Sequence, residues 1–191
     1  MKCGKPIRYA EREYCHDCQK TEHFYDRGRS LWLHKEPVNT SIYRFKYHNQ
    51  RVFARYYAEE IVNAFHDEIC RWNPDIIIPV PLHWRRRRKR GYNQSALLAK
   101  EIGEKMKISV DASLVKRIRY TDPQKKLDHN KRKANLWHAF RVGNLPRNVK
   151  RVLLIDDIYT TGNTIDAISR ELKKKGAEKV YFLTISIGQG Y

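Results

Sequence analysis

Residues 152–164, Val152-Leu153-Leu154-Ile155-Asp156-Asp157-Ile158-Tyr159-Thr160-Thr161-Gly162-Asn163-Thr164, join two adjacent carboxylates to a turn of hydroxyls and glycine. The four apolar residues before the acids read as a strand buried on both faces of a parallel sheet. Ligands of such sheets sit beyond the carboxyl ends of the strands, where Asp156 and Asp157 are expected to emerge. The turn can aim backbone N–H groups and hydroxyls at an anion, and a helix N-terminus behind it adds a favourable dipole. Acids beside such a cradle suit a sugar phosphate, with carboxylates for ribose hydroxyls and N–H groups for phosphate oxygens. The plainer alternative is a strand–turn–helix with an acid pair on its surface.

These thirteen residues resemble the motif by which type I phosphoribosyltransferases bind 5-phosphoribosyl-1-pyrophosphate (PRPP), apolar residues followed by D-D-x-x-T-T-G-x-T. Paired acids after a strand also occur in metal-dependent phosphatases and response regulators, but Thr160 to Thr164 argue against both, and no P-loop pattern is present. The resemblance implies that Asp156 and Asp157 are the catalytic pair, holding the ribose directly or through Mg²⁺. It implies that Thr160, Thr161, Gly162, Asn163 and Thr164 complete the PRPP site by cradling the 5′-phosphate. Magnesium suits such a site, because it takes few protein ligands and completes its shell with substrate phosphates. Departure of pyrophosphate leaves positive charge on the sugar, so positioning and electrostatics would carry most of the catalysis. No general base for an acceptor is evident.

A diphosphate needs a second anion-binding turn at the same sheet edge. Ile76-Ile77-Ile78 predicts another buried strand, and the prolines of Pro79-Val80-Pro81-Leu82-His83-Trp84 fix an irregular turn at its end. Val80, Pro81, Leu82 and His83 are the expected pyrophosphate loop. Asn93 can cap a helix running to about Met106, with Leu98, Ala99, Ile102 and Met106 inward.

The remaining elements have to hold these turns. Residues 49–71 predict a helix with Phe53, Tyr57, Ile61, Ala64, Phe65 and Ile69 near one face, capped by Asn49. Cys70 falls in that pattern and is expected in the core. Residues 22–47 read as an aromatic-rich linker with extended pieces. Residues 112–118 predict a strand, followed by a long polar segment to about Trp137. Ile165, Ile168 and Leu172 mark the stripe of the helix after the PRPP motif, with Gly176 as its C-terminal cap. Residues 180–187 predict the next strand, reached by a parallel crossover.

The 191 residues carry a net charge of +18, two-thirds of it in two blocks. Arg85, Arg86, Arg87, Arg88, Lys89 and Arg90 form one; Lys125, Lys126, Lys131 and Arg132 belong to the other, spanning 116–133. Both favour polyanions, and together with Trp84, Tyr92, Tyr120 and Trp137 they are candidates for single-stranded DNA. The second block also occupies the position of the flexible loop that closes over PRPP in type I phosphoribosyltransferases. Cys3, Cys15 and Cys18 resemble one and a half zinc knuckles. Structural Zn²⁺ takes four ligands, so His16, His23 or a cysteine preceding Met1 would have to complete the set. No apolar run is long enough to span a membrane and no signal pattern is present, so a cytoplasmic protein is expected.

Three blocks narrow the resemblance. Pro79-Val80-Pro81-Leu82-His83-Trp84 with Arg90-Gly91-Tyr92-Asn93-Gln94 is the first. Thr121-Asp122-Pro123-Gln124-Lys125-Lys126-Leu127 with Arg132, Asn135, Ala139 and Phe140 is the second, and the cysteine-rich head is the third. Together they resemble the ComF (ComFC-type) family of competence proteins over nearly the whole chain. The resemblance implies an α/β type I phosphoribosyltransferase-like fold, with a parallel sheet flanked by helices. It implies a Cys-rich head over 1–30, the phosphoribosyltransferase-like domain over 31–191, and a role in DNA uptake during natural transformation. A helicase-like competence protein is the partner it implies. Two alternatives stay open: an active phosphoribosyltransferase of nucleotide metabolism, and a DNA-binding factor that senses PRPP without turning it over.

Overall fold

The computed structural model describes residues 2–7, 13–119 and 137–188. Twelve named elements follow in chain order: α1 (His16–Lys20), β1 (Arg27–Leu33), α2 (Val38–Tyr47), α3 (Phe53–Trp72), β2 (Ile76–Pro79), α4 (Trp84–Arg90), α5 (Gln94–Met106), β3 (Val115–Arg117), β4 (Phe140–Val142), β5 (Arg151–Tyr159), α6 (Asn163–Lys174) and β6 (Lys179–Ile187). Four strands make a wholly parallel sheet in the order β1-β6-β5-β2. β3 and β4 form a separate antiparallel pair.

Side-chain alternation along β5 divides the core. Val152 and Leu154 join Ile165, Ile168 and Leu172 of α6 on one face of the sheet. Leu153 and Ile155 join Ile61 and Ile69 of α3 and Leu98 and Ile102 of α5 on the other. All eleven of these side chains are buried. At about 1.5–3 kcal/mol for each fully buried aliphatic side chain, this double face is what fixes β5 between two layers.

Several sequence-based expectations need correction. The stretch 22–47 is no linker: β1 pairs along β6 from Arg27↔Tyr181 to Leu33↔Ile187, and α2 buries Ile42 and Phe45. Gly28 makes this pairing close, since a Cβ there would stand 2.1 Å from the Phe182 ring. The 30/31 boundary falls inside β1, and Cys3 and Cys15 share a core cluster with β5 and β6. Asn49 does not cap α3, which begins at Phe53; it follows α2 with φ 55°, a left-handed position that asparagine tolerates. Cys70 and Ala64 are exposed, while Ile69 and Trp72 take the core positions. A non-helical Phe65 (φ −128°) breaks the regular phase between them. The basic run 85–90 is helical, capped by His83.

Candidate functional site

Two turns leave the sheet side by side. β2 ends at Pro79, opposite Ile155 of β5, and the Val80 N–H donates to the Ile155 carbonyl at 2.9 Å. β5 continues through Asp156 and Asp157 to Tyr159, and Thr160–Gly162 turn the chain into α6. Gly162 sits at φ 77°, and a Cβ on it would lie 2.4 Å from Tyr159 Oη. Glycine is therefore required twice over, by backbone conformation and by space. Asn163 and Thr164 open α6, which places the first turn of that helix directly after the acids and the Thr160–Gly162 turn.

The acids are held from helices distant in sequence. Ser95 Oγ donates to Asp156 Oδ1 at 3.0 Å, and the Asp157 N–H donates to the same oxygen at 2.9 Å. Gln94 Nε2 donates to Asp157 Oδ2 at 3.3 Å, and Lys46 Nζ of α2 pairs with Asp157 Oδ1 at 2.8 Å. Asn93 ties the start of α5 to the neighbouring turn through a 3.0 Å bond to the Val80 carbonyl. Burial, then repulsion from Asp157, pushes the Asp156 carboxyl up to about 7 against the pull of the Asp157 N–H, Lys46 and Ser95. His83 is buried at the head of α4, and burial followed by Arg117, Arg85 and Arg86 lowers its pKa, favouring the neutral ring.

Cys3, Cys15 and Cys18 bring their sulfurs within 4.8 Å of one another. His16 is exposed, whereas His23 is buried with Nδ1 3.5 Å from Asp166 Oδ2. Neither ring nitrogen of His23 has a hydrogen-bond partner. Burial lowers the His23 pKa, but Asp166 and Cys18 outweigh it and carry the ring up to about 9. Cys18 comes down to about 4, supported first by the Cys3 thiol and then, against burial, by His23, Cys15 and Tyr25. The convergent thiols, one of them a stabilised thiolate, fit three corners of a tetrahedral zinc centre. The cluster also reaches the Thr160–Gly162 turn. Cys18 Sγ lies 3.9 Å from Tyr25 Oη, which bonds Tyr159 Oη at 2.7 Å, the atom beneath Gly162. The Phe24 N–H donates to Asp166 of α6 at 2.6 Å.

The phosphoribosyl transferase domain model matches residues 54–186. Competence protein F of Haemophilus influenzae is 34% identical over 184 residues, covering 93% of this chain and 80% of that protein. The chain belongs to the ComF family and carries a phosphoribosyl transferase domain. DNA utilization protein YhgH of Escherichia coli K12 is 30% identical over 182 residues, covering 93% and 79%. Competence protein ComFC of Bacillus subtilis is 25% identical over 187 residues, covering 91% and 71%. Among solved structures, a purine phosphoribosyltransferase from Pyrococcus horikoshii has a TM-score of 0.41 and 18% identity, covering 70% of this chain and 86% of its own.

In this ComF-family protein the acids, Thr160–Thr164 and the Val80–His83 turn occupy one edge of the sheet, while Arg85–Arg90 line the adjoining α4. Lys125, Lys126, Lys131 and Arg132 lie outside the described residues, as does Tyr120. Lys46, Ser95 and Asp166 go unmarked in the sequence, while Gln94 and Tyr159 lie inside the two quoted motifs with no role of their own. Ser95 and Gln94 share one signal, as the first turn of a helix that starts at the same edge. Among the described residues no helix is long and apolar enough to cross a membrane.

Proposed function

We propose that this ComF-family protein binds Mg-PRPP at the Asp156–Asp157 edge and works in DNA uptake by handling single-stranded DNA. The observation that carries the ligand is the acid pair set directly before a glycine-dependent anion turn on a parallel strand. Asp156 and Asp157 hold the ribose hydroxyls, and Thr160, Thr161, Gly162, Asn163 and Thr164 take the 5′-phosphate with their N–H groups and hydroxyls. Val80, Pro81, Leu82 and His83 supply the second turn for pyrophosphate, and the neutral His83 ring adds no charge of its own there. Asp156 and Asp157 would hold Mg²⁺ together with ligand oxygens, and the ion would supply positive charge to offset the pyrophosphate. Lys46 keeps Asp157 paired in the free protein and stands ready to face the pyrophosphate once ligand engages the acid. Cys3, Cys15 and Cys18 hold structural Zn²⁺, with His23 facing them as a fourth donor.

The DNA half of the reading rests on kinship with proteins named for competence and DNA utilization, and on the cationic helix beside the site. Calorimetric titration tests the ligand. Wild type binds Mg-PRPP, and Asp156→Asn with Asp157→Asn abolishes binding while circular dichroism stays unchanged; equal binding by that variant would sink the assignment. Pyrophosphate release with any base or amine acceptor would establish turnover.

A further inference from the structure

The core explains Ile42 and Phe45 of α2, and the acid site explains Lys46, but neither explains Tyr43 and Tyr47. Set one helical turn apart, these two are 56% and 52% exposed, with ring centroids 4.9 Å from each other. His48 adds a third ring 5.5 Å from Tyr43. Scattered exposed aromatics are ordinary, but a ladder of three is not scattered. Arg90 of α4 joins the ladder to the cationic helix. Its guanidinium lies 4.5 Å over the Tyr47 ring and donates to Tyr47 Oη at 2.8 Å.

α4 turns Arg86 and Arg90 toward the body of the protein and leaves Arg85, Arg87, Arg88 and Lys89 exposed. Trp84 at its start is 59% exposed. Neither α2 nor α4 contains an acidic residue. The surface therefore offers ring faces and positive charge together, beginning next to Lys46 at the acid pair.

We propose that α2 and α4 form a track for single-stranded nucleic acid, with Tyr43, Tyr47 and Trp84 as stacking platforms and the exposed cations of α4 on the phosphates. The proposal rests on the DNA-handling reading above and names the surface that would perform it. Charge selects a polyanion, and the rings select one whose bases are free to stack. A duplex keeps its bases stacked on one another and has no use for the ladder. Free pyrophosphate has none either.

Fluorescence anisotropy with labelled oligothymidylate across a salt series tests the track. Wild type binds, and Tyr43→Ala with Tyr47→Ala weakens binding about tenfold or more at every salt concentration while leaving the salt slope alone. Arg87→Ala with Arg88→Ala instead lowers the slope of log affinity against log salt by about 1.4. Trp84→Ala, at an exposed helix end, gives a second reading should the tyrosine pair disturb folding, with about a fivefold loss. Mg-PRPP titration of the tyrosine variant stays at the wild-type value, which shows the fold intact. Wild-type affinity in both the tyrosine and the Trp84 variants would overturn the track, as would tyrosine variants that change self-association and leave DNA binding alone. Equal binding of duplex would overturn the single-strand assignment. If wild type binds no oligonucleotide while Mg-PRPP binds normally, the track and the DNA half of the proposed function fall together. If DNA binding follows the stated pattern but Mg-PRPP does not bind, the track stands and only the ligand reading fails.

Discussion

Asp156 takes two hydrogen bonds on one oxygen, from Ser95 and from the Asp157 N–H, yet burial and its acidic neighbour still hold its pKa near 7. A carboxyl whose folded pKa exceeds its unfolded value of about 4 stabilises the fold at low pH, and that contribution disappears as pH rises through about 7. Asp156→Asn keeps an oxygen acceptor for both donors and removes the charge. It should therefore melt higher than wild type at pH 8, by roughly 3 °C, and show little difference at pH 4. Thermal melts at the two pH values check this, and a variant less stable at pH 8 would contradict it. The proposed ligand should draw on the same proton. Mg-PRPP affinity should fall about tenfold per pH unit below 7, since the proton competes for Asp156. Lys46 has the complementary role at Asp157, where both side chains are mostly buried. Lys46→Met should cost about 2 kcal/mol in urea unfolding, and adding Asp157→Asn should recover most of it, because the loss is an uncompensated charge. A cycle showing no coupling would mean that solvent already screens the pair.

Contiguity decided how well each element could be read. β5, the turn after it and the α6 stripe were legible because a buried strand, its acids and the following helix occupy one run of sequence. The parallel sheet was legible for the same reason: Ile76–Ile78, residues 152–155 and residues 180–183 are unbroken apolar runs. β1 was not. Arg27-Gly28-Arg29-Ser30 belongs to an edge strand, and its fit depends on Phe182, which is remote in the chain. α4 was hidden because six consecutive cations show no apolar period, and its cap, His83, is identifiable only from the 3.3 Å bond its ring accepts from the Arg85 N–H. Gly162 tests the turn itself. Gly162→Ala places a methyl group against Tyr159 Oη at a positive φ, so it should cost about 2 kcal/mol or more in stability and greatly weaken Mg-PRPP binding. Unfolding titrations and calorimetry report the two effects separately. Near-normal values in both would show that the turn relaxes away from Tyr159.

Across the whole molecule, the cysteine cluster belongs to the same body as β5 and the turn that follows it. Sequence spacing pointed to the three thiols but left the fourth donor open among His16, His23 and a preceding cysteine, because ligand completion depends on which side chains are buried together. The fold buries His23, gives it Asp166 from α6, and leaves His16 in solvent. The Cys18–Tyr25–Tyr159 contacts then run from the sulfurs to the floor of Gly162. Metal bound by the three cysteines should consequently steady the Thr160–Gly162 turn as well as the cysteine cluster itself. Purified protein should contain zinc, and stripping it with a strong chelator should lower the melting temperature and weaken Mg-PRPP binding in parallel, with zinc restoring both. His23→Ala should loosen zinc and change the visible spectrum of the cobalt-substituted protein, whereas His16→Ala should do neither. Full zinc retention with an unchanged cobalt spectrum in His23→Ala would assign the fourth position to another donor. Loss of zinc without any change in PRPP affinity would show that the tyrosine pair packs the turn without transmitting the state of the metal.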